Sequence, residues 1–282
     1  MNTNKVRIIA YGITLGSIAI ASLYGQNTPK TIAASTEQGT LSLTANGEDF
    51  VREGFVSKDG WSISFDNLYV NVGDAIAYAA QSSFEPEKND TKNSIEYQHK
   101  VALIDQETVT NLAAGEADAD PIVVSEIDVQ PGFYNALAWD ITTAEADSII
   151  AGKTMNLLGQ ATKDGETIDF DLSFNQPTTY VCGEFVGDQR LGMVEVDTPG
   201  TVEMTFHFDH VFGDADTPPE DALNQHALGF QPLANLASND TVKLDEDDLA
   251  AQLSAPNYQR LQEAIAGLGH VGEGHCVVTN SQ

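Results

Sequence analysis

Apolar residues that alternate with polar ones dominate the middle of the chain. The clearest case is residues 167–174, in which every second side chain is apolar: Ile168, Phe170, Leu172 and Phe174. A period of two places successive side chains on opposite faces of a β-strand. Residues 155–162 supply a partner strand, and Asp164-Gly165 between the two is a strong turn signal. The segment is therefore predicted to be a β-hairpin with one face on a core.

The same alternation predicts further strands along the chain. They cover residues 39–45, 61–72, 122–129, 132–139, 191–197 and 201–208. In the second of these strands the apolar positions change phase, which predicts a β-bulge near Asp66-Asn67. The last two strands are predicted to form a second hairpin through Thr198-Pro199-Gly200. Many short strands separated by turns indicate a mainly β protein, an antiparallel sandwich of immunoglobulin-like or transthyretin-like type.

After Phe212 the pattern becomes helical. Asp245 is placed to cap one helix, and Ser254, with a proline just inside the helix, is placed to cap a second that ends at Gly267. These features predict a small C-terminal α-helical cap. Residues 213–282 are accordingly predicted to comprise an acidic loop, the helical cap and a His-containing C-terminal loop.

The N-terminal segment has the pattern of an export signal. Lys5 and Arg7 precede an apolar run over residues 8–24. Residues 1–34 are predicted to be a signal peptide or an N-terminal membrane anchor, since the run is also just long enough to remain uncleaved. The β-sandwich domain is then predicted over residues 35–212, in the periplasm or outside the cell.

Charge excludes some classes of partner. The 282 residues include 13 Lys+Arg against 42 Asp+Glu, a formal net charge of −29. Nucleic acid is excluded as a partner, and so is an anionic membrane surface beyond a possible N-terminal anchor. The sequence also lacks the nucleophile-elbow, phosphate-loop and dinucleotide-binding motifs, so no catalytic residue is predicted.

The chain has two cysteines, Cys182 and Cys276. An oxidising compartment favours a disulfide between them over two free thiols. On the chain-entropy model, closing so long a loop contributes about 4 to 5 kcal/mol to stability, reduced by any strain in the native state.

The placement of the histidines is the one sequence feature that points to a functional site. The chain has six, and four of them lie in two clusters, His207 with His210 and His270 with His275. Asp209 stands two residues after His207, so on an ideal strand both side chains share a face, whereas His210 needs a turn or bulge to join them. Glycines between the histidines of the second cluster allow a tight loop. The predicted disulfide at the neighbouring cysteine would hold that loop against the sandwich.

Several imidazoles with one carboxylate are the donor set of Zn²⁺, the first choice here, or of Cu²⁺, the second. The predicted ligands are His207, Asp209, His210, His270 and His275. The predicted role is metal capture or delivery, with a membrane transporter or receptor as the protein partner.

Other interpretations stay open at this point. The histidines are equally compatible with a metal-free cell-surface binding or scaffolding sandwich. A zinc hydrolase that uses Glu273 as its base is a further alternative. The acidic segments 116–120 and 214–221 are interpreted as solvated loops, with Ca²⁺ binding as the alternative. His99 and His226 are interpreted as ordinary strand and helix or loop residues.

Overall fold

A computed structural model describes residues 37–81, 92–183, 191–272 and 274–280. The predicted N-terminal signal over residues 1–34 lies outside these residues. None of the helices in the described ranges combines the length with the apolar composition that a membrane span requires.

The described residues are mainly β, as predicted. The strands are β1 (Gly39–Asn46), β2 (Phe55–Val56), β3 (Ser62–Ala80), β4 (Tyr97–Ala102), β5 (Thr108–Asn111), β6 (Ile122–Val129), β7 (Gly132–Phe133), β8 (Ala136–Ile141), β9 (Met155–Lys163), β10 (Glu166–Phe174), β11 (Thr178–Cys182), β12 (Met193–Val194), β13 (Gly200–Phe206), β14 (Thr241–Leu244), β15 (Gly269–Val271), β16 (Gly274–His275) and β17 (Val277–Asn280). The helices are α1 (Glu48–Glu53), α2 (Asp209–Phe212), α3 (Ala222–His226), α4 (Gln231–Ala234), α5 (Glu246–Gln252) and α6 (Ala255–Ala266).

Two large sheets contain most of these strands. The smaller has five strands in the order β16-β15-β13-β1-β6. The larger has ten, with the path β14-β10-β9-β3-β8-β11-β17 and with β2, β4 and β5 also paired to β3. The long strand β3 pairs along both edges, and its register shifts between Phe65 and Asn67, where the sequence predicts a bulge. That prediction is confirmed.

The purely antiparallel arrangement is wrong. β1 pairs in parallel with β13, and β10 pairs in parallel with β14. A parallel neighbour needs a long crossover connection, and in both cases the chain returns only after many residues of intervening structure. The sheets are therefore of mixed orientation, and an immunoglobulin-like or transthyretin-like topology stays a prediction.

The β9–β10 hairpin is confirmed. Lys163 pairs with Glu166, which leaves a two-residue turn of Asp164 and Gly165. Both turn residues have positive φ, 51° and 87°. This is the backbone of a type I′ turn, whose twist matches that of the two strands it joins.

The second predicted hairpin forms only in part: Glu195 pairs with Thr198 in an antiparallel bridge, and the Gly192 N–H donates to the Thr201 carbonyl at 2.6 Å, so the chain turns through Val196 and Asp197 rather than through Thr198-Pro199-Gly200. β12 pairs with β7 in a separate two-stranded sheet, and β13 lies between β1 and β15. Val202 of β13 is fully buried beside its partner Leu43 of β1. Burying this apolar strand between two neighbours removes more surface from water than an isolated hairpin would. The predicted strand over residues 132–139 also divides, into β7 and β8.

One hydrophobic core joins the two large sheets. Trp139 of β8 packs against Phe206 of β13 with ring centroids 6.5 Å apart. Trp61 packs against Phe230 at 5.3 Å. Both tryptophans are buried, as the strand pattern predicts.

The C-terminal segment combines helices with strands. The predicted helices form, and the carboxylate of Asp245 accepts a hydrogen bond from the Asp248 N–H at 2.9 Å as an N-cap. Ser254 precedes α6 without a capping bond from its side chain. β14 and β17 join the larger sheet, while β15 and β16 join the smaller. His270 and His275 thus lie in short strands rather than in the predicted loop, because β15 pairs with β13 and β16 pairs with β15, which satisfies backbone groups of both segments.

Candidate metal centre

The first cluster lies where β13 ends. The His207 N–H donates to the Leu268 carbonyl at 3.1 Å, which extends the β13–β15 pairing by one residue. Because Thr205 pairs with His270, His207 and His270 are diagonal neighbours on one face of the sheet. Their rings stack with centroids 4.1 Å apart and planes 15° apart. Strand pairing thus joins one member of each predicted cluster.

A turn then brings His210 to the same place. The His210 N–H donates to the His207 carbonyl at 3.2 Å, so the chain turns into α2 directly after the strand. The His210 ring centroid lies 5.6 Å from that of His207 and 5.0 Å from that of His270. The ligand atoms of the three histidines all lie within 4.8 Å of one another. We call these three residues the histidine triad.

The sequence pattern predicts that Asp209 shares a strand face with His207, and the structure contradicts this. The strand has ended, and Asp209 is the first residue of α2. Its side chain is not among the converging ligand atoms. One of its carboxylate oxygens, Oδ1, is buried and has no hydrogen-bond partner among the described residues.

His275 stands directly opposite His270 in the pairing of β15 with β16. The structure describes its backbone alone, so its role as a ligand stays a prediction. Glu273, the base of the hydrolase alternative, lies outside the described residues.

The predicted disulfide is confirmed. Cys182 at the end of β11 bonds to Cys276, which follows β16, with Cα atoms 4.4 Å apart. The next pair along, Val181 with Val277, begins the β11–β17 pairing. The bond therefore fastens the tail that carries His270 to the larger sheet.

Tyr180 and Gly269 add a close contact at the same place. A Cβ at Gly269 would overlap the ring of Tyr180, so only glycine lets β15 approach β11 this closely. Tyr180 is 1% exposed. Burial raises the pKa of Tyr180 above its usual range, and a hydrogen bond with the Gly269 backbone opposes this less strongly.

Sequence reasoning misses Glu48. This first residue of α1 places its Oε1 atom 3.6 Å from Nε2 of His207. Nothing in the local sequence connects residue 48 with residue 207, because only the pairing of β1 with β13 brings α1 beside the end of β13. The Asn46-Gly47 turn signal marks where β1 ends but carries no indication of a ligand.

A cavity of about 510 Å³ adjoins the triad at His210. Its lining includes Asp221 and His226 around α3 and Glu263 of α6. Carboxylates in a concave surface raise the local concentration of cations. His226 is thus a helix residue on the wall of a cavity. His99 lies elsewhere, in β4, with its ring centroid 5.3 Å from that of Tyr134.

Carboxylates of the second acidic segment bind backbone and hydroxyl groups of their own loops. Asp214 accepts hydrogen bonds from the Asp216 N–H and the Thr217 hydroxyl, and Asp221 caps α3 through the Leu223 N–H. The backbone of the first acidic segment binds Arg52 of α1. The Arg52 guanidinium donates hydrogen bonds to the carbonyl oxygens of Ala119 and Asp120 within the segment and of Ala114 just before it. In the described part of the chain, the histidine triad is the group with converging ligand atoms.

Comparison with known protein families, with characterised proteins and with solved structures finds no match to this chain. The chemistry of the site therefore has to be inferred from its residues.

Proposed function

We propose that the protein binds a transition-metal ion, Zn²⁺ first and Cu²⁺ second, at a centre formed by His207, His210 and His270. The observation that carries the proposal is the convergence of three imidazole ligand atoms within 4.8 Å. Neutral imidazole is a strong ligand for both ions, and three imidazoles are a recurring zinc donor set. Zinc–nitrogen bonds of about 2.0 Å place tetrahedral ligands roughly 3.3 Å apart. The His207 and His270 rings, which stack with planes 15° apart, would have to rotate out of this stacking for their nitrogen atoms to bind one ion together with His210.

The surroundings of the triad support a resident ion that can exchange. His270 is 2% exposed, which keeps bulk water from one side of the centre. His210 faces the cavity of about 510 Å³, which gives an ion a route from solvent. This combination suits capture of a metal ion and its delivery to a membrane transporter or receptor.

Location outside the cytoplasm is part of the proposal. The Cys182–Cys276 bond supports it, because disulfides persist in oxidising compartments and are rare in reducing ones. The periplasm and the cell exterior both meet that condition.

Metal retention tests the proposal directly. The purified protein is dialysed against trace Zn²⁺ and analysed for bound metal. We expect about one equivalent in the wild type, and none in a His207→Ala, His270→Ala variant, because each substitution removes a strong donor. His226→Ala is the matched control, since it removes an imidazole from the neighbouring cavity wall and leaves the triad intact.

A melting experiment adds a second measurement. An ion that binds only the folded state raises the melting temperature, so a chelator should lower it in the wild type and the control but not in the double variant. A wild type that retains no metal would contradict the proposal and favour a metal-free binding or scaffolding protein. Equal retention by all three proteins would place the ion elsewhere.

A further inference from the structure

We infer that the bound ion keeps one coordination position for an exogenous ligand, which enters through the cavity beside His210. The ligand is a small molecule with a neutral nitrogen donor and a positive charge. The inference rests on the proposed metal centre and extends it to the class of molecule that completes the coordination of the ion.

The number of converging protein ligands leaves one position to be filled. Zinc sites in proteins are typically four-coordinate, and a site with three protein ligands holds water or substrate in the fourth position. Among the described residues, the triad supplies three imidazole ligand atoms that converge. One further donor therefore completes the coordination of an ion bound there.

The cavity lies on the side of the triad from which such a donor can arrive. His270 is 2% exposed, so protein covers the centre on that side. His210, in contrast, forms part of the wall of the cavity of about 510 Å³. A molecule in the cavity therefore meets the centre at His210.

The cavity is larger than a metal ion in transit requires. A water molecule takes about 30 Å³ of liquid volume, whereas pockets for small organic molecules have volumes of about 300 to 1,000 Å³. The volume of about 510 Å³ lies in the second range. Ala222, Leu223 and Ala264 add apolar surface to the wall, which organic ligands commonly contact. The cavity therefore fits an organic molecule.

The walls of the cavity are fastened to the elements that carry the triad. The Val211 carbonyl in α2 accepts hydrogen bonds from the N–H groups of Leu228 and Gly229, shortly after α3, at 2.9 and 3.1 Å. The Leu268 carbonyl, shortly after α6, accepts the His207 N–H at 3.1 Å. These bonds hold α3 and α6 beside the centre, so a ligand bound between them would lie beside the ion.

Carboxylates from α3 and α6 select the charge of the ligand. Oδ1 of Asp221 accepts the Leu223 N–H at 2.9 Å, and Oε1 of Glu263 accepts a hydrogen bond from Nε2 of Gln259 at 2.8 Å. These bonds hold both carboxylates at the cavity wall. Negative charge on a concave surface attracts cations and repels anions. A neutral imidazole or amine nitrogen is therefore favoured as the donor, and a positive charge elsewhere on the molecule strengthens its binding.

Three matched probes test the inference on the Co²⁺-loaded protein, because the absorption spectrum of Co²⁺ changes when a ligand joins the ion. Each probe is an imidazole with a two-carbon arm that ends in trimethylammonium, hydroxyl or carboxylate. We expect the trimethylammonium probe to change the spectrum at a concentration roughly 10-fold lower than the carboxylate probe, with the hydroxyl probe between them. Metal analysis after each titration checks that Co²⁺ stays bound.

Variants test whether the probes bind in the cavity. Asp221→Asn, Glu263→Gln removes two charges from the wall and should bring the three affinities together. The control Glu220→Gln, Asp247→Asn makes the same change of charge at exposed residues outside the described lining and should keep the affinities apart. Ala222→Trp partly fills the cavity, so every probe should bind about 10-fold more weakly while Zn²⁺ retention is unchanged.

The outcomes separate this inference from the proposed function. If the wild type retains no metal, the proposed centre is wrong and the inference falls with it. If metal is retained but no probe changes the Co²⁺ spectrum, the centre stands and the inference is overturned, in favour of a fourth protein ligand such as His275. A carboxylate probe that binds as tightly as the trimethylammonium probe would also overturn it.

Equal binding of the probes by Ala222→Trp and the wild type would overturn the cavity as their route. Melting temperatures of the metal-free proteins show whether each variant folds. Ala264→Leu fills the cavity from α6 and serves as the second variant if Ala222→Trp does not fold.

Discussion

The β9–β10 hairpin and the metal centre are built in opposite ways. In the hairpin, every paired residue lies close to its partner in sequence, and the turn of Asp164 and Gly165 sets the register. In the centre, α1, the end of β13 and β15 come from distant parts of the chain and meet only in the folded protein. Local sequence signals therefore specify the β9–β10 hairpin, whereas the metal centre depends on contacts between segments that are remote in sequence.

The difference also concerns what holds each region in place. The hairpin is stabilised by its own backbone pairing and by packing on the core. The centre depends on the tail that follows α6, which is fastened by the Cys182–Cys276 bond and by the contact of Gly269 with Tyr180. Changes to these attachments should therefore affect the centre and leave the hairpin intact.

The largest effect is expected from removing the disulfide. In a Cys182→Ser, Cys276→Ser variant, we expect the free energy of unfolding to fall by about 2 to 5 kcal/mol and Zn²⁺ affinity to fall with it, because the tail loses its covalent attachment. Denaturant unfolding and Zn²⁺ titration measure the two effects. Amide exchange should show β9–β10 still protected at low denaturant. A variant that binds Zn²⁺ like the wild type would show that pairing of the tail is sufficient.

A smaller effect is expected from adding one methyl group to a glycine in each region. Gly269→Ala drives a Cβ into the ring of Tyr180, and we expect a cost of about 1 to 3 kcal/mol with weakened Zn²⁺ binding, because His270 is the next residue. Gly165→Ala meets no atom within 4 Å, and its positive φ costs about 1 kcal/mol. It should leave Zn²⁺ binding unchanged. Equal effects of both variants on metal binding would remove the distinction between the regions.

The smallest effect is expected at alkaline pH. Burial raises the pKa of Tyr180, so above pH 10, roughly the pKa of an unfolded tyrosine, the unfolded state loses a proton that the folded state keeps. The stability linked to this group is complete below that pH and is lost as pH rises, by at most about 1.4 kcal/mol per pH unit. Unfolding measured from pH 8 to 11 should show a shallower decline in Tyr180→Phe.

The free energy of unfolding of Tyr180→Phe should still fall somewhat at alkaline pH, because burial also raises the pKa of Tyr78, Tyr134 and Tyr258. The hairpin contains no tyrosine and should contribute nothing to it. An identical decline in the wild type and Tyr180→Phe would mean that Tyr180 does not cause the loss.

Short-range patterns predicted their structures well. The type I′ hairpin, the bulge after Phe65 and the Asp245 cap each depend on neighbours along the chain, and all three are confirmed. The second hairpin pairs only next to its turn, because tertiary packing pairs β13 with β1 and β15 instead. The same packing explains why Glu48 was missed. Asp209 was placed wrongly for a local reason, because β13 ends at Phe206 and the chain turns into α2.

By itself, the sequence determined a mainly β chain, the Asp164-Gly165 turn, the Asp245 cap and the disulfide, because alternation, turn chemistry and a single cysteine pair leave few choices. It also indicated His207, His210 and His270 as candidate ligands. Only the tertiary structure decided that these three meet, that Glu48 stands beside them and that the sheets are mixed. Strand partners and ring distances depend on which remote surfaces bury each other, and no local pattern encodes that choice.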